Sequence, residues 1–273
     1  AGWRPLADFD DRPAAGERQA RALATQALAH PPGAAFEYSN MNYNLLGLII
    51  EAAGGEDYAA YIQDHIFAPL GMRHSHAARA EALQDGLAMG HRYWFGCPVA
   101  APDLPLPRGS LPSGQLLSCA EDMAHYLIAH LNGGRYGAAR LLSPEGIATL
   151  HRPAVDATML GVPGQYGMGW FVREAGPTRL VWHTGLVPDF FTYVALLPEQ
   201  RKGVVLLLNA NHFLLVPALT DLGMGVAALL AGERPPPGQL SFMPLLSRAL
   251  LLLPALQVAA VAATLRRLRR WWR

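Results

Sequence analysis

The chain has 273 residues, 51% of them hydrophobic and 16% charged, so it is long and apolar enough to bury a full core and is not a disordered protein. Its formal charge of +1 conceals an asymmetry, because five of the last eight residues are arginines and none is acidic. The remainder has 17 basic and 21 acidic residues, and such a mildly acidic body argues against a nucleic-acid partner.

The first 165 residues are predicted to be mostly helical, with long loops. Three helices are expected first, at Ala15–His30, Asn42–Ala53 and Tyr58–Phe67. Gly54 and Gly55 supply the stop signal of the second helix, and Pro69 ends the third. Residues 86–117 are rich in proline and glycine and lack a regular hydrophobic period, which predicts a loop.

Two further helices have recognisable start signals. Ser118 to Glu121 has the form of a capping box, which predicts a helix that runs to about Leu131. Ser143 and Pro144 supply an N-cap and a proline at the first position of the next helix.

The chain changes character after residue 165. Short runs rich in valine, leucine and aromatic residues are separated by turn-like segments and predict strands at Tyr166–Arg173, Arg179–Thr184, Phe190–Leu197 and Gly203–Asn209. A last helix is expected at about Phe213–Ala231. Helices before and after an antiparallel meander predict an α+β fold, an antiparallel sheet flanked by helices, within residues 1–231.

The C-terminal part is predicted to be a membrane anchor. Residues 232–241 form a proline-rich linker, and Ala249–Leu265 contains no charge, with apolar character back to Phe242 if Arg248 reaches the interface. A spanning helix needs roughly 20 residues, with about 17 as the lower limit. We therefore expect a transmembrane helix at residues 242–265.

The flanking residues give the anchor its expected orientation. The tail at residues 266–273 combines arginines with tryptophans, which places it on the cytoplasmic side and the rest of the chain on the other side of the membrane. The alternative is a buried C-terminal core helix, which Pro254 and Gln257 favour.

Several common site motifs are absent from the sequence. It contains no Gly-x-Ser-x-Gly, no His-Glu-x-x-His and no Gly-x-x-x-x-Gly-Lys. His74 and His76 hint at a metal, but no third ligand accompanies them, so no metal and no cofactor is expected. Cys97 and Cys119 allow one disulfide bond or none.

Five sequence pieces follow one another in a particular order: "PGAAFEYSNMNYNLLGLIIE", "YIQDHIFAPLGM", "LPSGQLLSCAEDMAHYLIAHLNGG", "YGMGW" and "VWHTGLVPDFFTYVALLPEQRKGVVLLLNAN". This succession resembles the serine β-lactamase and penicillin-binding-protein superfamily, in its class C and serine-esterase-like branch, over about residues 30–211. The resemblance implies a β-lactamase/transpeptidase-like fold.

The resemblance also implies roles for six residues. Catalysis is assigned to Tyr38, Asn40 and His183, and substrate binding to Thr184, Gly185 and Leu186. Tyr38 matches the Tyr-x-Asn tyrosine, which exchanges protons with a catalytic serine and the leaving group. Asn40 matches the amide that orients the substrate, and His183 stands for the lysine of a Lys-Thr-Gly triplet. The amide of Leu186 matches an oxyanion-hole donor.

A structural interpretation of the same residues remains open. Taken singly, Tyr38 would be a half-buried packing residue, Asn40 an N-cap and His183 a strand residue facing solvent. A free phenol has a pKa of about 10, so Tyr38 needs a neighbouring cation to act as a base near neutral pH.

The sequence departs from the family pattern at important positions. The family's nucleophile motif is Ser-x-x-Lys, but Lys202 is the only lysine here and no serine stands three residues before it. Residues 1–231 are therefore expected to be a partial hydrolase domain, incomplete at the N-terminus. Leu186 and Asp189 replace two family glycines, which predicts a bulkier and more acidic rim.

Two functions are open at this point. The first is a fragment of a membrane-anchored serine hydrolase that acts on an ester or a peptide-like amide through an acyl-enzyme, the fragment itself being inactive. The second is a non-catalytic, membrane-tethered module of the same fold that binds cell-wall material or a partner protein.

Overall fold

The computed structural model describes residues 15–94, 97–101, 108–159, 162–175, 178–235, 249 and 252–271. The helices in chain order are α1 (Ala15–Leu23), α2 (Asn40–Gly54), α3 (Tyr58–Ile62), α4 (Ala68–Leu70), α5 (Arg79–Gln84), α6 (Leu111–Gly114), α7 (Ala120–Leu131), α8 (Pro144–Leu150), α9 (Val216–Ala231) and α10 (Leu252–Trp271). A π-helical segment, Gln63–Phe67, joins α3 to α4.

The strands in chain order are β1 (His91–Trp94), β2 (Cys97–Ala100), β3 (Arg135–Tyr136), β4 (Ala139–Arg140), β5 (Val155–Met159), β6 (Val162–Tyr166), β7 (Phe171–Ala175), β8 (Thr178–Val187), β9 (Phe190–Leu197), β10 (Lys202–Leu208) and β11 (Ala210–Asn211). Strands β5 to β10 form one antiparallel sheet in sequence order, as expected for a meander. The predicted α+β class is confirmed, with an additional strand at β5.

The main sheet is covered by helices on both faces. On one face, Trp182 and Tyr193 pack against Met224 of α9 in a buried apolar cluster. Gly223 allows this approach, because a Cβ atom there would lie 2.4 Å from the Tyr193 ring. On the other face, Val181 packs against Leu127 of α7. The sheet is thus a central layer between helices.

Local signals placed several helix ends correctly. Gly55 has φ of 72° and caps α2, and Ser143 accepts a hydrogen bond from the backbone N–H of Gly146 at the start of α8. The start of α7 differs from the prediction, since its N-cap is Cys119, whose Sγ accepts from the N–H of Asp122. The hydroxyl of Ser118 instead contacts that of Ser75.

Two predictions about strands were wrong. Residues 86–117 are not a loop throughout, because β1 and β2 form a hairpin there and β1 pairs in parallel with β11. The predicted strand Tyr166–Arg173 is divided between β6 and β7, with Gly169 at φ of 82° in the turn.

The cysteines do not form a disulfide bond. Both cysteines are free thiols.

The C-terminal region does not support the predicted membrane span. In the described part of the chain, no helix is both long enough and apolar enough to cross a bilayer. Helix α10 continues into the arginine-rich tail as far as Trp271. Residues 236–241 of the expected linker, and residues 242–248, 250 and 251 of the expected span, lie outside the described residues.

Candidate active site

The outer end of β8 is open on one side. Strand β7 pairs with β8 only as far as Trp182, which lies opposite Phe171, whereas the pairing with β9 continues to Val187. From His183 to Val187, therefore, one edge of β8 has no strand neighbour within the described residues. All four predicted site residues on this strand lie in that segment.

The structure brings Tyr38 close to His183. Their ring centroids are 6.1 Å apart, although one residue precedes α2 and the other lies on β8. Tyr38 is 39% exposed, so the phenol is in contact with both protein and solvent. Burial, and secondarily the neighbouring Tyr43, raise the pKa of the Tyr38 phenol. Both influences keep it protonated at neutral pH.

His183 is held in one tautomer. Its Nδ1 lies 2.5 Å from the carbonyl oxygen of Thr184. Since a carbonyl can only accept, Nδ1 carries the proton and Nε2 has the lone pair. Burial lowers the pKa of His183, and the bond to Thr184 opposes that effect in part. His183 is therefore a neutral acceptor and does not replace the positive charge of a lysine.

Asn40 is the first residue of α2 and is half-buried. The N-cap is Ser39, in extended conformation, so the alternative prediction that Asn40 serves as the cap was wrong. The structure places Asn40 two residues from Tyr38 at the helix start, with no hydrogen bond to the Tyr38 or His183 ring.

The remaining strand residues differ in exposure. Thr184 is buried, whereas the side chain of Leu186 is largely exposed. Gly185 has no room for a side chain, because a Cβ atom would lie 2.1 Å from Oγ1 of Thr192 on β9. Position 185 therefore has no side chain, in the part of β8 along which a substrate would lie.

Two further tyrosines, which the sequence motifs did not single out, lie at the same place. The hydroxyls of Tyr43 and Tyr166 are 2.6 Å apart, and the ring of Tyr166 packs edge-on against His183. Burial is the main cause that raises the pKa of Tyr166, and the bond to Tyr43 adds to it. Two signals pointed here: Tyr43 lies three residues after Asn40 on one helix face, and Tyr166 opens the "YGMGW" piece.

The prediction of an acidic rim at Asp189 was wrong. Its carboxylate is buried and binds the guanidinium of Arg92 through both oxygens, at 2.6 and 3.1 Å. The charge of Asp189 is therefore buried and neutralised by Arg92.

The histidines His74 and His76 have a structural explanation. Both contact the carboxylate of Asp85, at 2.9 and 2.8 Å. Among the residues that the structure describes, no group of histidine, cysteine or acidic side chains is arranged to hold a metal ion.

Lys202 does not serve as a site cation. Its Nζ donates to the carbonyl of Leu230 at the end of α9, 2.9 Å away. The site therefore combines a neutral phenol, a neutral imidazole, an amide side chain and an open strand edge. These groups can donate and accept protons and bind a carbonyl oxygen, but they include no activated nucleophile.

Known proteins are similar to this chain in sequence. Protein flp of Staphylococcus aureus is 32% identical over 194 residues, which are 70% of this chain and 36% of that protein. The chain thus spans about a third of the length of this relative.

Solved structures are similar in fold. The octameric penicillin-binding protein homologue from Pyrococcus abyssi has a TM-score of 0.70 and 28% identity, over 87% of this chain and 50% of that one. The D-amino acid amidase from Ochrobactrum anthropi SV3, solved with L-phenylalanine amide, has a TM-score of 0.60 and 22% identity, over 75% and 58%.

The family comparison covers most of the chain. The model of the Beta-lactamase family matches residues 1–224, which include the whole main sheet, Tyr38 and His183. The match agrees with the resemblance that the ordered motifs indicated. The chain belongs to the beta-lactamase family.

Proposed function

We propose that this chain carries one half of the active site of a serine hydrolase, which cleaves an ester or a peptide-like amide through an acyl-enzyme. The observation that carries this proposal is the short distance between Tyr38 and His183. Their ring centroids lie 6.1 Å apart, beside the open end of β8. A carbonyl substrate lying along that edge would have a proton carrier and a strand amide within the same small region.

Each group has a defined task in the proposed reaction. A serine hydroxyl attacks the carbonyl carbon, and the amide of Leu186 donates to the oxygen on which negative charge develops. The serine proton passes to Tyr38 and a Tyr38 proton passes to the leaving group, whose bond to the carbonyl carbon breaks as the acyl-enzyme forms. Water then hydrolyses the acyl-enzyme, and Asn40 orients the substrate. Nε2 of His183 accepts a hydrogen bond from the serine or the substrate.

The nucleophile is proposed to come from residues beyond these 273. The chain contains no Ser-x-x-Lys sequence, and it spans 36% of protein flp. The electrostatics favour the same conclusion, because both influences on Tyr38 raise its pKa. A lysine placed beside the phenol would lower it and allow proton exchange near neutral pH. The 273 residues alone are accordingly expected to be inactive.

An uncharged substrate suits the described rim best. His183 is neutral and the carboxylate of Asp189 is occupied by Arg92, so neither offers a free charge to a substrate. The fold is shared with a D-amino acid amidase solved with L-phenylalanine amide, which supports a small amide as one class. A short ester has the same carbonyl and a better leaving group, which makes it the more sensitive probe.

The test uses the chain extended by its upstream coding sequence, with a chromogenic short-acyl ester. Replacing Tyr38 by Phe removes the proton carrier and preserves the ring, so turnover should fall by about 100-fold or more. Tyr136→Phe, outside the site, is the matched control and should keep the wild-type rate. Mass spectrometry should detect the acyl group on a serine.

Two outcomes would contradict the proposal. A folded Tyr38→Phe enzyme with the full rate would remove the role assigned to the phenol. An extended protein that binds a β-lactam or an amide without forming an acyl adduct would favour the non-catalytic binding module.

We also propose that the C-terminal region attaches the protein to a membrane, with the hydrolase domain on the extracytoplasmic side. Helix α10 exposes Leu256, Val258 and Val261, and Arg266 and Arg267 follow them. Exposed apolar side chains next to basic ones are typical of helices at lipid surfaces.

Truncation after Gly232 tests the attachment. The truncated protein should leave the membrane fraction, whereas the full chain should sediment with it. A truncated protein that still sediments with membranes, or a full chain that stays in the supernatant without detergent, would disprove the attachment.

A further inference from the structure

The hairpin between β8 and β9 reverses direction at an unusual residue. Pro188 and Asp189 form the two-residue connection, and Asp189 has φ of 69°. Within the described residues, Asp189 and Arg201 are the non-glycine residues with positive φ. Aspartate tolerates this backbone region better than most residues, but glycine enters it more easily. A reason is therefore needed for a carboxylate at this position.

The reason is a bidentate ion pair with Arg92. Nε of Arg92 donates to Oδ1 of Asp189 at 2.6 Å, and Nη2 donates to Oδ2 at 3.1 Å. The Asp189 side chain is 7% exposed and that of Arg92 is 38% exposed, so the carboxylate is buried while the guanidinium remains partly in solvent. Arg92 itself lies on β1 opposite Asn211 of β11, which fixes the position of its backbone.

Two further contacts hold the same hairpin. The side-chain amide of Asn211 donates to the carbonyl of Val187 at 3.2 Å. Gly90, just before β1, lies so close that a Cβ atom there would be 2.7 Å from Cβ of Asp189 and 2.9 Å from the Phe190 ring. The β1–β11 region therefore contacts both Val187, the last residue of β8, and the turn that follows it.

We propose that Arg92 and Asp189 form a positioning pair for the oxyanion-hole amide of Leu186. The inference rests on the proposed function, in which that amide stabilises the developing charge. From His183 onward β8 has strand β9 on one side and no described strand on the other, so its outer end lacks half of the usual sheet support. The ion pair supplies a second attachment, three residues from the amide. Glycine at position 189 would relax the turn but remove this attachment.

Hydrogen exchange of the full 273-residue chain, followed by mass spectrometry, measures the effect directly. Arg92→Gln and Asp189→Asn should each accelerate exchange at Val187, which pairs with Phe190 of β9 beside the turn, by about tenfold, because a charge-assisted contact of the buried Asp189 carboxylate is lost. Asp189→Gly should accelerate it as well, although glycine relieves the positive φ. The double variant should exchange at nearly the same rate as either single variant, since both changes remove the same contact.

A matched control is available on the same strand. Arg179 pairs with Glu199 at the opposite end of β8, with 3.6 Å between Nε and the carboxylate, so Arg179→Gln should leave exchange at Val187 unchanged. Arg92→Lys keeps the charge but loses the second donor. Its exchange rate should lie between those of the wild type and of Arg92→Gln, and it provides a test even if Arg92→Gln destabilises the whole fold. Unchanged exchange in Asp189→Gly and Arg92→Lys, or additive effects in the double variant, would overturn the proposal.

A kinetic experiment separates positioning from simple structural support. In the upstream-extended enzyme, Arg92→Lys should lower kcat while KM stays within about twofold, because the oxyanion donor acts mainly in the transition state. Equal changes in both constants would contradict the positioning role. The exchange experiment needs no turnover, so it tests the pair even if the proposed hydrolase activity is absent.

Discussion

The two ends of strand β8 differ in what surrounds them. At the inner end, Leu180, Val181 and Trp182 have neighbours on both sides in the sheet and helices on both faces, and each is at most 2% exposed. At the outer end, His183 to Val187 pair with β9 alone among the strands that the structure describes, and the side chain of Leu186 is 49% exposed. One strand thus combines a rigid core with an accessible edge, and the rigid end orients the accessible one.

The support of the inner end extends into the helical layer. Trp170, in the same buried cluster as Val181, contacts His130 of α7 and His151 after α8 with ring centroids 5.2 and 5.5 Å apart. Nδ1 of His130 and Nε2 of His151 lie 3.1 Å apart, so the two imidazoles satisfy each other. The comparison therefore predicts large effects of change at the inner end and in this histidine pair, and small effects at the outer end.

The largest effect is expected for Trp182→Ala. This side chain is 1% exposed and packs between Phe171 and Tyr193, with ring centroids 5.1 and 6.0 Å away. Its removal leaves a cavity, so the free energy of unfolding should fall by about 3–5 kcal/mol. Urea titration followed by circular dichroism measures the change, and a loss below about 1 kcal/mol would show that the inner end is not the rigid part.

The next effect concerns pH and the histidine pair. Burial lowers the pKa of His130 to about 3, and burial together with Arg179 lowers that of His151 to about 4. Unfolded histidines take up protons near pH 6.5, so the unfolded state binds more protons below that value. The stabilisation that the two neutral histidines contribute to the folded state is therefore complete above about pH 6.5 and is lost as the pH falls. We expect a decrease on the order of 2–4 kcal/mol between pH 6.5 and 4.

Paired variants isolate this contribution from that of the carboxylates. His151→Gln removes one titrating ring, and the slope of unfolding free energy against pH should become smaller between pH 7 and 5. His65→Gln, at an exposed position, is the control and should retain the wild-type slope. Identical slopes in all three proteins would refute the assignment to the pair.

A smaller effect is expected for Gly185, in the outer end of β8. Gly185→Ala would force its Cβ against Oγ1 of Thr192, so the free energy of unfolding should fall by about 1–3 kcal/mol. Adding Thr192→Ala removes that oxygen and should restore most of the loss, because the next contact, Cβ of Thr192, is 3.4 Å away. Thermal unfolding of the three variants checks this. Failure of the second change to restore stability would place the strain elsewhere.

The smallest effect is expected for Leu186→Ala. The side chain is half in solvent and the amide remains in place, so the free energy of unfolding should change by less than about 0.5 kcal/mol. A loss above about 1 kcal/mol in the same urea titration would mean that the outer end packs against protein, and the contrast between the two ends would fail.

Much of the fold could be predicted because its signals are local. The apolar run before Gly54 and Gly55, the Ser143-Pro144 start and the alternating strands each report on their immediate neighbours in sequence. The β1–β2 hairpin was missed for the opposite reason. Strand β1 is stabilised by β11, whose Asn211 lies opposite Arg92, and no local period records a partner so distant in the chain.

For the candidate site, the structure shows which of the predicted residues lie together, and the roles assigned to them stay predictions. The ordered motifs indicated Tyr38 and His183, and the structure places their rings together. The Tyr43–Tyr166 contact joins a helix to a strand, and neither residue belongs to a motif with an assigned role. The role of Asp189 was misjudged, because its exposure and its partner depend on the β1–β11 ladder.

The sequence by itself determined the family, the α+β class and the residue types at the open end of β8. These follow from residue types, their order and their periods, which need no knowledge of distant contacts. Tertiary structure alone decided the directions in which the pKa values of Tyr38 and His183 shift, the neutralisation of Asp189 by Arg92 and, within the described residues, the lack of a second strand neighbour for β8 beyond Trp182. The physical reason is that burial, charge pairing and sheet edges are properties of three-dimensional neighbours, so the same residues in another fold would carry different charges and make different bonds.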